Sequence, residues 1–195
     1  MSSLKLESGA SYHDLDVNKV SLDGQVRDVE FEDVHFNKCN FEGAILLACR
    51  FTSCKFTECD MSSAKLTGCV LNDVSFKQCR LLGIDFASID QLIVDLDFSG
   101  CLLDYSGFTR MRLGRTRFIN CRMREVDFSR AGLERAVFKG SDLRGAGFNR
   151  ATLRWTDFRG ASDVLFDPKL VSLGHTKVDL ETLIDLGAQL GLDTA

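Results

Sequence analysis

A large apolar residue recurs every five positions through most of this chain. From Val26 the series runs Phe31, Phe36, Phe41, Leu46, Phe51, Phe56, Met61, Leu66, Leu71, Phe76, Leu81 and Phe86. It slips by two and resumes at Phe98, Leu103, Phe108, Leu113, Phe118, Met123, Phe128, Leu133, Phe138, Leu143, Phe148, Leu153 and Phe158. All 26 centres are apolar, and they hold 14 of the 15 phenylalanines, so chance does not account for them. A second inward position lies two residues before each centre. All eight cysteines stand there, at Cys39, Cys49, Cys54, Cys59, Cys69, Cys79, Cys101 and Cys121, and most other such positions are small.

A period of five suits neither a helix, at 3.6, nor a long strand, at 2. It suits a chain that turns a corner every five residues. Alternate residues of a short extended segment share a face, so each unit points one large and one small side chain inward. Four corners close a coil of 20 residues, and successive coils pair as parallel strands about 4.8 Å apart. The expected fold is therefore all-β, a quadrilateral parallel β-helix. Like stacks on like: Phe98, Phe118, Phe138 and Phe158 form one ladder, and Phe108, Phe128 and Phe148 the opposite one. Such a core is filled by side chains and leaves little room for a substrate.

The slip is expected to be a short insertion near residues 87–90, with Ile93 as the next centre. It reads either as a tolerated bulge or as a loop that contacts a partner. Residues 1–25 are expected to cap the first coil, through Leu15, Val17, Val20 and Leu22, ahead of a repeat region spanning 26–162. Residues 163–195 form the other end. Pro168 interrupts the backbone there, and Asp179 is placed to N-cap a short α-helix. Leu183, Ile184, Gly187 and Leu190 share one face of that helix, which serves as a cap, as a homodimer contact, or as both.

Charge is uneven. Residues 1–105 carry nine Lys and Arg against 17 Asp and Glu; residues 106–162 carry 13 against five; residues 163–195 carry two against six. The acidic part supplies candidate partner-binding residues in Asp28, Glu30, Glu32, Asp33, Asp90, Asp95 and Asp97. In the basic part Arg110, Arg130 and Arg150 stack on one corner, as do Arg115 with Arg135 and Arg124 with Arg144. They form a solvated basic face or a seat for an anionic partner.

Catalytic patterns are missing. His13, His35 and His175 are scattered, and neither a P-loop nor a dinucleotide fingerprint occurs. The cysteines face a dry core, which suits free packed thiols and disfavours zinc thiolates. The reading is a non-enzyme with no cofactor and no metal. The start MSSLKLESGA lacks an apolar signal core, and no stretch approaches the roughly 20 apolar residues of a membrane span, so a cytoplasmic protein without membrane attachment is expected.

The segment SDLRGAGFNRATLRWTDFRGA resembles the tandem A-(D/N)-L-x-x units of the pentapeptide-repeat family. That resemblance implies a right-handed β-helix. The slip after CRLLGIDF and the ending FDPKLVSLGHTKVDLETLIDLGAQLGLDT are similar to the Qnr group, which includes immunity proteins against microcin and albicidin. This resemblance implies a rod that dimerises through its C-terminal end. It also implies that the rod binds DNA gyrase or topoisomerase IV as a DNA mimic and protects it from quinolone-type poisons. A rod of six or seven coils spans roughly 30–34 Å, and duplex of that length bears roughly 20 negative charges. The balanced charge of the repeats confines any mimicry to part of the surface. An interaction scaffold with no topoisomerase role is the alternative. Direct nucleic-acid binding through the arginine rows is disfavoured, because the aromatics that would stack on bases lie in the core.

Overall fold

The computed structural model describes residues 2–3, 6–22 and 24–189. It is a four-sided β-solenoid followed by one α-helix, Leu180–Gln189. Neighbouring coils pair in parallel at the expected period: Phe56 lies between Phe36 and Phe76, and Phe98 between Phe76 and Phe118. We name the four faces after the centres of one coil, the Leu113, Phe118, Met123 and Phe128 faces.

The aromatic ladder on the Phe118 face is continuous. Ring centroids step 4.7 Å from Phe36 to Phe56, 5.0 Å to Phe76, 5.3 Å to Phe98, 5.1 Å to Phe118, 4.9 Å to Phe138 and 5.0 Å to Phe158, all stacked. On the opposite face Phe86, Phe108, Phe128 and Phe148 stack at 4.7–5.3 Å. The ladders meet edge to face, as at Phe118 and Phe128, 5.7 Å apart at 75°. This geometry suits the ring quadrupoles and fills the width of the coil. Phe98, Phe108, Phe118, Phe128, Phe138, Phe148 and Phe158 are all buried.

Corners carry a shared backbone feature. The residue two after most centres has positive φ, as in Arg110 (62°), Arg130 (61°), Arg150 (60°) and Trp155 (64°). For a residue with a Cβ this costs about 1–2 kcal/mol. Its N–H is then aimed at the next coil: Arg110 donates to the Ser129 carbonyl at 3.0 Å and Arg130 to Asn149 at 2.8 Å. Glycine takes the same place at Gly140 and Gly160, where the conformation costs nothing sterically.

Corner type also explains where cysteine sits. At tight corners the residue three after the centre donates its N–H back to the centre's carbonyl. Ala44 bonds Phe41 at 3.0 Å, Ala131 bonds Phe128 at 3.0 Å and Ala151 bonds Phe148 at 2.9 Å. Among the cysteines only Cys69 makes this bond. The others follow wider corners, and several send Sγ to a centre's carbonyl one coil below. Cys59 reaches Phe36 at 3.3 Å, Cys79 reaches Phe56 at 3.3 Å and Cys101 reaches Phe76 at 3.3 Å. Ser141 replaces this bond on Phe118 at 2.9 Å. The small inward side chain thus satisfies a carbonyl that the wide corner leaves without its turn bond.

All eight cysteines are buried and free. Burial pushes the Cys54 thiol up to about 11. Along the column on the Met123 face, neighbouring thiols and burial raise Cys39, Cys79 and Cys121.

Three expectations change. The extra residues fall at 91–93 rather than 87–90. Ile89 is buried in register, and Asp90 N–H still bonds the Cys69 carbonyl at 2.8 Å. Val94, not Ile93, pairs with Leu71; Ile93 is 56% exposed and Leu92 88%. One residue is recovered between Val94 and Leu96, opposite Val74, so Phe98 returns to the ladder. Second, the coils extend beyond residues 26–162 at both ends. Tyr12 pairs with Phe31 and Val17 with Phe36 upstream, while Ser172 and Lys177 bridge Thr152 and Asp157 downstream. Third, Asp179 does stand at the N-cap position, its carbonyl taking the first helical bond from Leu183, but its carboxylate accepts from Gly160 N–H at 2.6 Å. Asp179 ties the helix to the last coils.

Two predictions follow from the packing. Phe128→Ala should lower unfolding free energy by about 3–5 kcal/mol in a denaturant melt, and a loss under about 1 kcal/mol would contradict the filled ladder. Cys59→Ser should retain most of the stability, since a hydroxyl donates to the Phe36 carbonyl as Ser141 does to Phe118. Cys59→Val, close in size but without a donor, should cost roughly 1–3 kcal/mol. Equal melts for the two variants would remove the carbonyl-satisfying role.

Candidate interaction face

The solenoid turns the residues on either side of each centre outward. On the Leu113 face the position before the centre runs Ser11, Glu30, Arg50 and Val70, then Asp90, then Arg112, Gly132, Thr152 and Ser172. This face gathers six of the seven acidic candidates. Asp28 and Asp33 stand at its corners, Glu30 and Glu32 flank buried Phe31, and Asp90 and Asp95 bracket the inserted loop. Asp97 lies around the corner on the Phe118 face, 3.7 Å from Arg117; burial pushes its carboxyl up against the opposing pull of that arginine. Asp73 belongs with the six but was not singled out in the sequence. The 20-residue period places it on the corner row of Asp33, which is the signal that finds it.

The C-terminal half of the same face is basic. Arg110, Arg130 and Arg150 occupy one corner row and Arg115 and Arg135 the other, with Arg112 and Arg154 between. None of these seven makes an ion pair among the described residues. Arginines on the other faces do: Arg122 with Asp104 at 2.7 Å, Arg124 with Asp142 at 2.7 Å, Arg144 with Asp163 at 3.5 Å and Arg159 with Asp157 at 2.6 Å. Arg159 holds the Asp157 carboxyl below the usual range. The Arg124–Arg144 row is therefore neutralised by acids of neighbouring coils, whereas the Arg110 and Arg115 rows face solvent with Glu134 and Asp90 beside them.

Two hollows mark this face. Gly114, Arg115, Glu134, Arg135, Arg154 and Trp155 line a shallow one of about 520 Å³. It lies where glycine leaves the strand bare, and Trp155 closes it, stacked on His175 at 4.0 Å. Asp90, Gln91, Leu92, Arg110 and Arg112 line another of about 450 Å³ beneath the inserted loop.

At the far end the helix turns Thr182 and Leu186 inward and leaves Leu180, Leu183 and Ile184 exposed, with Gly187 half-buried. Leu190 lies outside the described residues. Among the described residues no cluster of His, Cys, Asp or Glu has the arrangement of a metal site. No helix of the described residues is long and apolar enough to cross a membrane.

Comparison with known proteins agrees with this architecture. Residues 29–108 match the family model described as a pentapeptide repeat region, and residues 121–160 match pentapeptide repeats in eight copies. No curated protein matches the sequence. Among solved structures, a trypsin-treated form of QnrB1, a plasmid-mediated fluoroquinolone resistance protein, is similar over 95% of this chain and 100% of its own, at 17% identity and TM-score 0.60. A second trypsin-treated QnrB1 structure is similar over 100% of this chain and 95% of its own, at 18% identity and TM-score 0.53. HetL, a pentapeptide-repeat protein of heterocyst differentiation regulation from the cyanobacterium Nostoc, covers 91% of this chain and 84% of its own at 17% identity, with TM-score 0.33. With its repeat matched on both sides of the insertion and its coils stacked at that period, this chain belongs to the pentapeptide-repeat proteins.

Proposed function

We propose that this chain is a non-enzymatic, protein-binding rod that occupies the DNA-binding surface of DNA gyrase or topoisomerase IV and protects the enzyme from poisons. The observation that carries this reading is the gathering of Asp28, Glu30, Glu32, Asp33, Asp90 and Asp95 on one straight face. Fixed carboxylates on a rigid rod offer a basic groove what duplex phosphates offer it, without ordering cost. The Qnr-like ending and the likeness in layout to QnrB1, a fluoroquinolone resistance protein, support the choice of enzyme. The mimicry is confined to the N-terminal half, because the seven unpaired arginines reverse the sign of the rest. Exposed Leu183 and Ile184 supply the homodimer contact in this reading, pairing two rods end to end.

The unpaired arginines favour a second reading, an interaction scaffold with no topoisomerase role. A supercoiling assay with gyrase and ciprofloxacin separates the two. Added protein should restore supercoiling, and the combined Asp28→Arg and Glu32→Arg substitutions should abolish the rescue while leaving the melt unchanged. Failure to rescue, with no gyrase retained on the immobilised protein, would favour the scaffold. For the end contact, Leu183→Glu should give a folded monomer by light scattering. A wild type already monomeric at high salt would exclude that contact.

A further inference from the structure

The Leu113 face is complementary to itself. Four coils lie on each side of the one that bears the inserted loop, read along Ser11, Glu30, Arg50 and Val70 and then Arg112, Gly132, Thr152 and Ser172. One side is acidic and the other holds the unpaired arginines. At the midpoint the loop presents Leu92, 88% exposed, and Ile93, 56% exposed. We propose that this face binds the same face of a second copy of the chain, antiparallel, about a twofold axis that passes through the Leu92 loop.

The register makes the match specific. Turning one rod end for end about an axis along the strands keeps each position's offset from its centre and reverses the order of coils. Asp28 then meets Arg150, since each stands three before the centre of the second coil from its end. Glu32 meets Arg154, each one after that centre. Asp73 meets Arg115, each two after the centre of the coil next to the loop. Asp14 meets His175 at the outermost coils. Arg130 and Arg135 meet Ala48 and Ser53. Arg50, the one arginine of the acidic half of this face, is held by Glu30 of its own rod at 3.7 Å. Asp90 and Asp95, on the axial coil, face their own copies, with Arg110 and Arg112 of the adjacent coil beside Asp90. At the axis each Leu92 is carried against the partner's loop, beside the hollow lined by Arg110 and Arg112. A twofold contact repeats every such pair, so the attraction is doubled and the register is fixed by repulsion elsewhere.

The pairs lie at the surface, so the contact is screened by salt. It uses no residue of the helix end, and the two contacts operate separately. The test is therefore made in a Leu183→Glu, Ile184→Glu background, which removes the end contact. In low salt this protein should sediment as a dimer, and at about 1 M salt, where the screening length is about 3 Å, as a monomer. Asp28→Arg with Glu32→Arg sets like charges against Arg150 and Arg154, and this variant should be monomeric. Arg150→Glu with Arg154→Glu should be monomeric for the converse reason. The corner conformation of Asp28 is the one arginine already adopts at Arg110, and circular dichroism melts confirm that each variant folds. Mixed in equal amounts, the two should form a one-to-one heterodimer by native mass spectrometry, because each reversed patch now meets its complement. Leu92→Asp should weaken the dimer about tenfold or more, as a charge set against its own copy does. A background protein that is monomeric in low salt would overturn the proposal, as would reversed variants that still dimerise or a mixture that stays monomeric. Arginine-dependent retention of duplex DNA without self-association would also overturn it and assign the basic half to phosphate backbones.

Discussion

The bond from a backbone N–H to the carbonyl of the coil beside it, close to 20 residues away, is the interaction on which the rest of this structure depends. It makes every side chain a member of a column. Rings stack on rings because the N–H of Phe118 bonds the Val137 carbonyl at 2.7 Å and that of Phe138 bonds Asp157 at 2.9 Å. The same bonds hold Arg110, Arg130 and Arg150 in one row despite the cost of a left-handed backbone and of neighbouring like charges. A five-residue repeat thus becomes a set of straight rows, and surface charge becomes a pattern along a rod.

Much of this was legible in the residues. The centres, the small inward partners, the four faces and the two phenylalanine ladders all follow from counting by five and by 20. The location of the insertion was not. Ile93 keeps the five-residue count from Phe98 and is apolar, so the pattern prefers it. The structure prefers Val94, because Ile89 and Asp90 remain bonded to the coil below and only residues 91–93 are free to bulge. The count also missed coils at both ends; upstream, Tyr12, Val17 and Leu22 keep the spacing of five but stand one residue out of phase with Val26. Why cysteine rather than alanine stands at a given inward position depends on whether the corner before it closes its own turn bond, which the period does not report.

The candidate face was half legible. Acidic residues stood out by number, and the period puts Asp28, Glu30, Glu32 and Asp33 together. The basic rows stood out as well, but their partners did not. Arg124 and Arg144 look like Arg110 and Arg130 in the sequence. Only the placement of Asp142 and Asp163 shows that one row is neutralised and the other is bare. A face with opposite charge on its two halves is a consequence of that difference. It bears on any partner, since a gyrase groove would compete with the basic half of a second copy for the acidic half.

All of these relations require that the two halves form one solenoid with the faces aligned across the insertion. Native-state hydrogen exchange at the amides spanning it tests this most directly. Gln78 bonds the Ser99 carbonyl at 2.8 Å, Asp90 bonds Cys69 at 2.8 Å and Leu102 bonds Cys79 at 2.9 Å, while Asp127, deep in the regular half, bonds Ser106 at 3.1 Å. The account predicts that Gln78, Asp90 and Leu102 open with the same free energy as Asp127, only through global unfolding, while Gln91, Leu92 and Ile93 exchange quickly. Low-energy opening at Gln78 and Leu102, with the two halves protected independently, would contradict it.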